Sequence, residues 1–201
     1  MRHLFWLKAL GTSAFMWVFF IGYFAVLREP SGPPVTMPLT ALDRWIPFQP
    51  GALWAYGSLW LYVGIAPGLL LGFWRLVVYG LWSAALAGTG LLCFWLWPTQ
   101  VPPAPPVDTA RHPGFAVLQG VDAAGNACPS LHVATAVFAA VWIEHLLRRV
   151  GAPPWLRGVN GLWVGAIVWS TVAIRQHVVL DAVAGLALGL AFAWASLRRQ
   201  R

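Results

Sequence analysis

The sequence predicts an all-α membrane protein, a six-transmembrane-helix bundle with both termini cytoplasmic and its active site at the extracytoplasmic face. Three observations predict it. The 201 residues are 59% hydrophobic and only 9% charged, with a mean hydropathy of +0.68, whereas about 25% of a soluble domain is charged. Six apolar runs carry at most one charged side chain each, and each is about long enough to cross ~30 Å of hydrocarbon. The 13 Lys and Arg residues lie in ones and twos at the ends of those runs. That placement orients helices in a bilayer and does not make a nucleic-acid patch, despite a net charge of +7.

The runs follow in order. Ala9 to Leu27 comes after Arg2 and Lys8 as a signal peptide would, but it ends in Val26-Leu27-Arg28-Glu29 without a small-residue cleavage site and is read as a retained helix. Gly51 to Trp74 and Leu76 to Trp97 are separated by Arg75 alone. Leu131 to Leu147 is the shortest. Trp155 to Ile174 and Val178 to Leu197 complete the set, and together residues 1–201 are expected to form a single membrane domain. Tryptophans near several ends, such as Trp6, Trp74, Trp97 and Trp155, fit interfacial belts. Pro-rich stretches at Pro30 to Pro38 and Val101 to Pro113 are loop material. Cys93 and Cys128 make neither a disulfide framework nor a zinc spacing.

Orientation follows from the cations. The N-terminus, the 2–3 turn, the 4–5 loop and the C-terminal tail hold Arg2, Lys8, Arg75, Arg148, Arg149, Arg157, Arg198, Arg199 and Arg201, against Arg28, Arg44, Arg111 and Arg175 on the other side. The positive-inside rule makes both termini cytoplasmic. The two longest connections, Arg28 to Pro50 and Pro98 to Ser130, then face outward with five of the six acids.

The outer 3–4 loop ends in Cys128-Pro129-Ser130-Leu131-His132 and runs into the fourth span. Pro129 and Ser130 read as a helix start, with His132 in the first turn, where unpaired N–H groups and the helix dipole suit an anion. The 5–6 connection is Arg175-Gln176-His177, and Asp181 follows four residues later. If the helix already runs through His177, that spacing puts Asp181 on the same face as the imidazole. An ionisable side chain in a span is costly and marks a functional site by default. His132, Arg175, His177 and Asp181 share one membrane face and form a candidate site for phosphoryl transfer. One imidazole can attack phosphorus, the other can protonate the departing oxygen, Asp181 can fix a tautomer, and Arg175 can grip the phosphoryl oxygens. Such a site requires no metal and no cofactor.

Pro129-Ser130-Leu131-His132, followed by Ser170-Thr171-Val172-Ala173-Ile174-Arg175-Gln176-His177-Val178-Val179-Leu180-Asp181, resembles the second and third motifs of the type 2 phosphatidic acid phosphatase superfamily. The closer resemblance is to its inositolphosphotransferase-like branch, to which inositol phosphorylceramide synthases belong. Leu42-Asp43-Arg44-Trp45-Ile46-Pro47-Phe48 with Tyr56 also resembles that branch's loop before the second span. The resemblance implies a six-helix core, a histidine nucleophile at His177, a general acid at His132, and Asp181 assisting His177. The sequence departs from the phosphatase pattern in three ways: K-x6-R-P is absent, Leu131 replaces glycine, and Thr171 stands where the third-motif arginine would be. Arg175 resembles the basic residue of the branch, whereas Val178 replaces its tyrosine.

Catalytic candidates are therefore His177, His132 and Asp181, with Arg175, Arg111 and Ser130 as candidates for binding the substrate phosphate. Arg111 is the only base in the 3–4 loop and could equally be a solvated loop charge; Ser130 as a nucleophile is disfavoured because capping serines are ordinary and G-x-S-x-G is absent. Asp122 and Asn126 read as turn-shaping residues. Glu144 lies beside Arg148 and Arg149 at the other face, as a surface ion pair would. Gly185 and Gly189 form G-x-x-x-G, read as close helix packing within the bundle. His3 and His112 have no assignable partner. The expected protein is a cell-membrane phosphatase acting on a phospholipid or isoprenoid-lipid phosphate; the alternative is a phosphotransferase passing a phosphoryl or phosphoinositol group to an alcohol-bearing lipid. The residues leave the substrate lipid, the acceptor and the oligomeric state open. A bis-histidine haem protein and a non-catalytic lipid-binding or flipping protein are the readings outside this chemistry.

Overall fold

The computed structural model describes residues 4–121 and 125–198, and these are mostly helical. Helix α1 (Phe5–Arg28) is apolar on every side, and most of it is uncovered by the rest of the chain. Tyr23 is its one buried residue. Exposure of this kind suits a helix whose solvent is lipid. The connection after α1 then forms a two-residue strand β1 (Val35–Thr36) and a short helix α2 (Ala41–Trp45). Thr40 and Asp43 close α2 as a capping box: the Asp43 N–H donates to Thr40 Oγ1, and the Thr40 N–H donates back to the carboxylate.

The second apolar run differs most from expectation. A 3₁₀ turn at Pro50–Ala52 leads into α3 (Leu53–Gly57) and α4 (Leu59–Leu69), and α5 (Phe73–Leu96) begins before Arg75. The break thus falls at residues 70–72 and not at Arg75. Pro67 has no N–H to continue the ladder, and Gly72 takes an extended conformation ahead of α5. Strand β2 (Thr99–Gln100) pairs in parallel with β1, with Val35 opposite Thr99, and so ties the connections after α1 and after α5 together. This pairing is the small departure from an all-helical chain. After α6 (Pro113–Val121) come α7 (Leu131–Arg149), α8 (Pro154–Ala173) and α9 (Val179–Arg198). Among the described residues, α1, α5, α7 and α9 are long and apolar enough to cross a membrane. α8 is as long, but Arg157 and Asn160 lower its hydropathy.

α7 is the centre of the bundle and packs on α4, α5, α8 and α9. Its Phe138 and Trp142 are buried with Tyr79, Leu86 and Ile167. Several polar groups inside the bundle are paired with one another, which offsets the cost of removing them from water. The Tyr62 hydroxyl donates to Asn160 Oδ1 at 2.6 Å, Asn160 Nδ2 donates to the Ala140 carbonyl at 3.0 Å, and Trp142 Nε1 donates to Ser196 Oγ at 2.9 Å. At the far end from the connections after α1 and α5, Glu144 accepts from Arg148, one of the two neighbours expected to pair with it, and from Arg157 of α8 in place of Arg149. Asp122, His3, Arg2, Arg199 and Arg201 lie outside the described residues.

Candidate active site

Two chain segments meet at the start of α7. Ser130 caps that helix, its Oγ accepting from the Val133 N–H at 3.2 Å, so His132 stands in the first turn as expected. The second segment is the α8–α9 turn. The Gln176 and His177 N–H groups both donate to the Thr171 carbonyl at 3.0 Å, and Arg175 adopts a left-handed backbone with φ 60°. α9 starts only at Val179, so the helix does not run through His177. The turn, not helical periodicity, brings the pair together. Asp181 Oδ2 accepts from the Val178 N–H at 3.0 Å and lies 3.5 Å from His177 Nδ1. The main chain joins the segments too: the Ser130 N–H donates to the Asp181 carbonyl at 3.0 Å.

Across this junction His132 Nδ1 lies 3.1 Å from His177 Nε2, and His132 Nε2 lies 2.8 Å from the Tyr56 hydroxyl. Asp181, His177, His132 and Tyr56 therefore form one continuous polar row. Asp181 is fully buried and His177 is 5% exposed. Asp181 Oδ1 and His177 Nδ1 are buried without a hydrogen-bond partner. Unpartnered polar atoms of this kind are rare in a finished core and are typical of a site whose chemistry involves a ligand or a proton. Such an arrangement can present an imidazole lone pair next to a second imidazole that holds a proton, with a carboxylate behind the first.

The phosphate-binding candidates are placed differently. Arg175 directs Nη1 and Nη2 at the carbonyls of Asp43 and Ile46, both at 2.9 Å, and so holds the C-terminal end of α2. Asp43, 1% exposed, accepts from the Val179 N–H at 2.8 Å and so caps the start of α9 from a different segment. Arg111 is exposed and 3.4 Å from Asp108, on the wall of a cavity that also reaches His132, Gln176 and His177. Ser130 is fully buried, its hydroxyl engaged in the cap. Thr171, at the position of the missing third-motif arginine, is buried and donates to the Val168 carbonyl at 2.8 Å. Asn126 is buried with the left-handed backbone of a turn residue, but its side chain donates to the Tyr23 carbonyl of α1 at 3.2 Å and not to its own backbone.

The cavity has a volume of about 1150 Å³ and is mostly apolar. It runs beside α1 from Tyr23 down to Lys8, about 22 Å at 1.5 Å per residue. Lys8 Nζ donates to the Gly68 carbonyl at 2.7 Å at its far end. Sequence reasoning placed Tyr56 in a family-like stretch but gave it no role; a buried tyrosine is unremarkable until its neighbour is known. Among the described residues, no group of three or more His, Cys, Asp and Glu is arranged to hold a metal ion.

No curated protein matches the chain, and no solved structure does. The family model described as PAP2 superfamily matches residues 81–201, the stretch that supplies α7, the α8–α9 turn and α9. Because that match takes in more than half of its length, the chain belongs to the PAP2 superfamily.

Proposed function

We propose that the chain is a metal-independent lipid-phosphate phosphatase of the cell membrane, one domain over residues 1–201 with six crossings and both termini cytoplasmic, working at the extracytoplasmic face through a phosphohistidine at His177. Membership of the PAP2 superfamily supports a phosphatase-type activity on lipid phosphates. The observation that carries the histidine chemistry is the 3.1 Å approach of His132 Nδ1 to His177 Nε2, with Asp181 buried behind it, at the end of an apolar cavity long enough for a lipid chain.

In-line displacement needs the attacking and departing atoms on opposite sides of phosphorus. Substrate binding therefore exchanges the His132–His177 contact for two contacts to the phosphoryl group. The His177 Nε2 lone pair forms the N–P bond; the P–O electrons leave with the lipid oxygen, which takes the proton from His132 Nδ1. Asp181 faces the charge that develops at His177 Nδ1. Water then attacks phosphorus, the N–P pair returns to Nε2, and the water proton passes to His132 Nδ1. Arg111, on the cavity wall, is the first candidate to hold the phosphate. Arg175 reaches it only by releasing the Asp43 and Ile46 carbonyls, and Ser130 contributes through the helix N-terminus it caps.

The second reading is transfer of a phosphoryl or phosphoinositol group to an alcohol. The resemblance of residues 42–48 and Arg175 to the inositolphosphotransferase-like branch favours it. Purified protein incubated with lipid phosphates and diphosphates, with and without inositol, separates the two when mass spectrometry follows the phosphate. Release as inorganic phosphate supports hydrolysis, and a phosphorylated alcohol supports transfer. His177→Ala is expected to abolish phosphoenzyme formation on every substrate. His132→Ala is expected to lose about 10²–10⁴-fold on an alkyl lipid phosphate, but far less on p-nitrophenyl phosphate, whose leaving group needs no proton. Equal losses on both would remove the acid role from His132. Activity should survive a chelator and fall with vanadate; loss on chelation, restored by a divalent ion, would move these side chains into ligand roles.

A further inference from the structure

His132 has two ring nitrogens, and the site uses only one. Nδ1 faces His177 Nε2, where the phosphoryl group must enter, so Nδ1 is the nitrogen that exchanges a proton with leaving group and water. Nε2 faces Tyr56 Oη at 2.8 Å. An imidazole that gives up its Nδ1 proton must keep the other proton on Nε2, or it would be left as an anion. Something must therefore accept a hydrogen bond from Nε2–H in both the protonated and the neutral ring. A phenol oxygen can do so. Tyr56 is buried at 3% exposure and packs with Ala173 and Ile174 just before the His177 turn. Its ring lies 4.9 Å from that of His132, and Trp60 presents an edge to the same imidazole at 6.1 Å. The hydroxyl is thus fixed in position.

We propose that Tyr56 is a positioning residue for His132: its hydroxyl accepts from Nε2–H and holds the ring in the tautomer whose Nδ1 cycles between acid and base. Its oxygen gains and loses no proton in either half of the reaction. This rests on the reading of His132 as acid, and Tyr56 lies outside the segment that the family model matches. Second partners that fix a catalytic or ligating histidine are worth about 10–100-fold when removed. They act on the transition state, so the loss belongs in kcat and not in KM.

Tyr56→Phe keeps the buried ring and removes only the hydroxyl. It is expected to elute as wild type in detergent, to keep KM for an alkyl lipid phosphate, and to lose about 10–100-fold in kcat. Phosphoenzyme formation from p-nitrophenyl phosphate should be nearly unchanged, because that step does not need the His132 proton. In a His132→Ala background the same substitution should have no further effect. A loss that is equal on both leaving groups, or that persists without His132, would make Tyr56 merely structural and overturn the proposal. So would wild-type kcat in Tyr56→Phe while His132→Ala is impaired, with the phosphohistidine reading left standing. If His132→Ala and His177→Ala both kept full activity, that reading itself would fail and take this one with it.

Discussion

Asp43 ties its own segment to the α8–α9 turn through both its carboxylate and its backbone carbonyl. Oδ2 accepts from the Thr40 N–H and hydroxyl at 2.7 and 2.6 Å, Oδ1 accepts from the Val179 N–H, and the Asp43 carbonyl receives Arg175. Burial opposes its ionisation, but the bonds from Thr40 and Val179 and the Arg175 charge outweigh that, so its carboxyl titrates below the usual value of 3.8. A depressed native value means that ionised Asp43 stabilises the fold above pH 3.8, and the contribution is lost as pH falls from there through the native value. Asp43→Asn would set an amide donor against the Thr40 donors and should reduce stability at neutral pH by about 1.5–3 kcal/mol. Thermal unfolding in detergent should show the gap between wild type and variant narrowing below pH 3.8; a gap independent of pH would show that the charge does not matter. This link was illegible in the sequence, because Val179 is 136 residues away. The His177–Asp181 spacing was legible because it is local, although a turn and not a helix produces it.

Helices α7 and α9 approach closely enough that two glycines have no room for a side chain. A Cβ on Gly185 would collide with the Ser130 carbonyl oxygen, and one on Gly189 with that of Ala134. Both obstacles are backbone, which cannot rotate away as a side chain can. Gly185→Ala should therefore cost about 1–3 kcal/mol and also lower activity, since Asp181 sits one turn earlier and its carbonyl is bonded to the Ser130 N–H. Gly88→Ala is the control. It lies within α5 with nothing near its Cβ, and should leave stability unchanged or raise it by about 1 kcal/mol. Equal melting temperatures for Gly185→Ala and Gly88→Ala would refute the close-packing account. The G-x-x-x-G spacing announced this contact from the sequence alone, as the apolar runs announced the long helices. Their ends were less legible: α4 stops at Leu69 because of Pro67 and Gly72, which read as ordinary span residues within an unbroken apolar stretch. The β1–β2 pair carries no periodic signal, having two residues in each strand.

At the scale of the whole molecule, cations and the cavity make separate claims. By the positive-inside rule, the nine-to-four split of Lys and Arg predicts a cytoplasmic C-terminus and a loop before His132 on the other side. Alkaline phosphatase fused after Arg201 should be inactive and fused near Asp108 active; the reverse would move the site to the cytoplasmic face. The cavity was invisible to sequence reasoning, because its walls come from α1, α3, α4, α5 and α7, and an apolar residue reads alike whether it faces lipid, core or cavity. Its shape makes a length prediction. Gly64 is on the wall, eight residues and so about 12 Å along the chain from Tyr56, with open space where a Cβ would stand. A tryptophan there would obstruct the cavity between His132 and Lys8, four residues before Gly68, whose carbonyl Lys8 reaches. If a substrate chain threads it, Gly64→Trp should lower kcat/KM at least ~10-fold for a palmitoyl lipid phosphate, because the displaced part of the chain gives up about 0.8 kcal/mol per CH₂. A hexanoyl analogue ends before the obstruction and should be unaffected. Phosphoenzyme formation from p-nitrophenyl phosphate should match wild type, which would show that the histidines are undisturbed. Equal loss on long and short chains would mean that the cavity does not hold the chain, and that the lipid tail stays in the bilayer while only the phosphate enters.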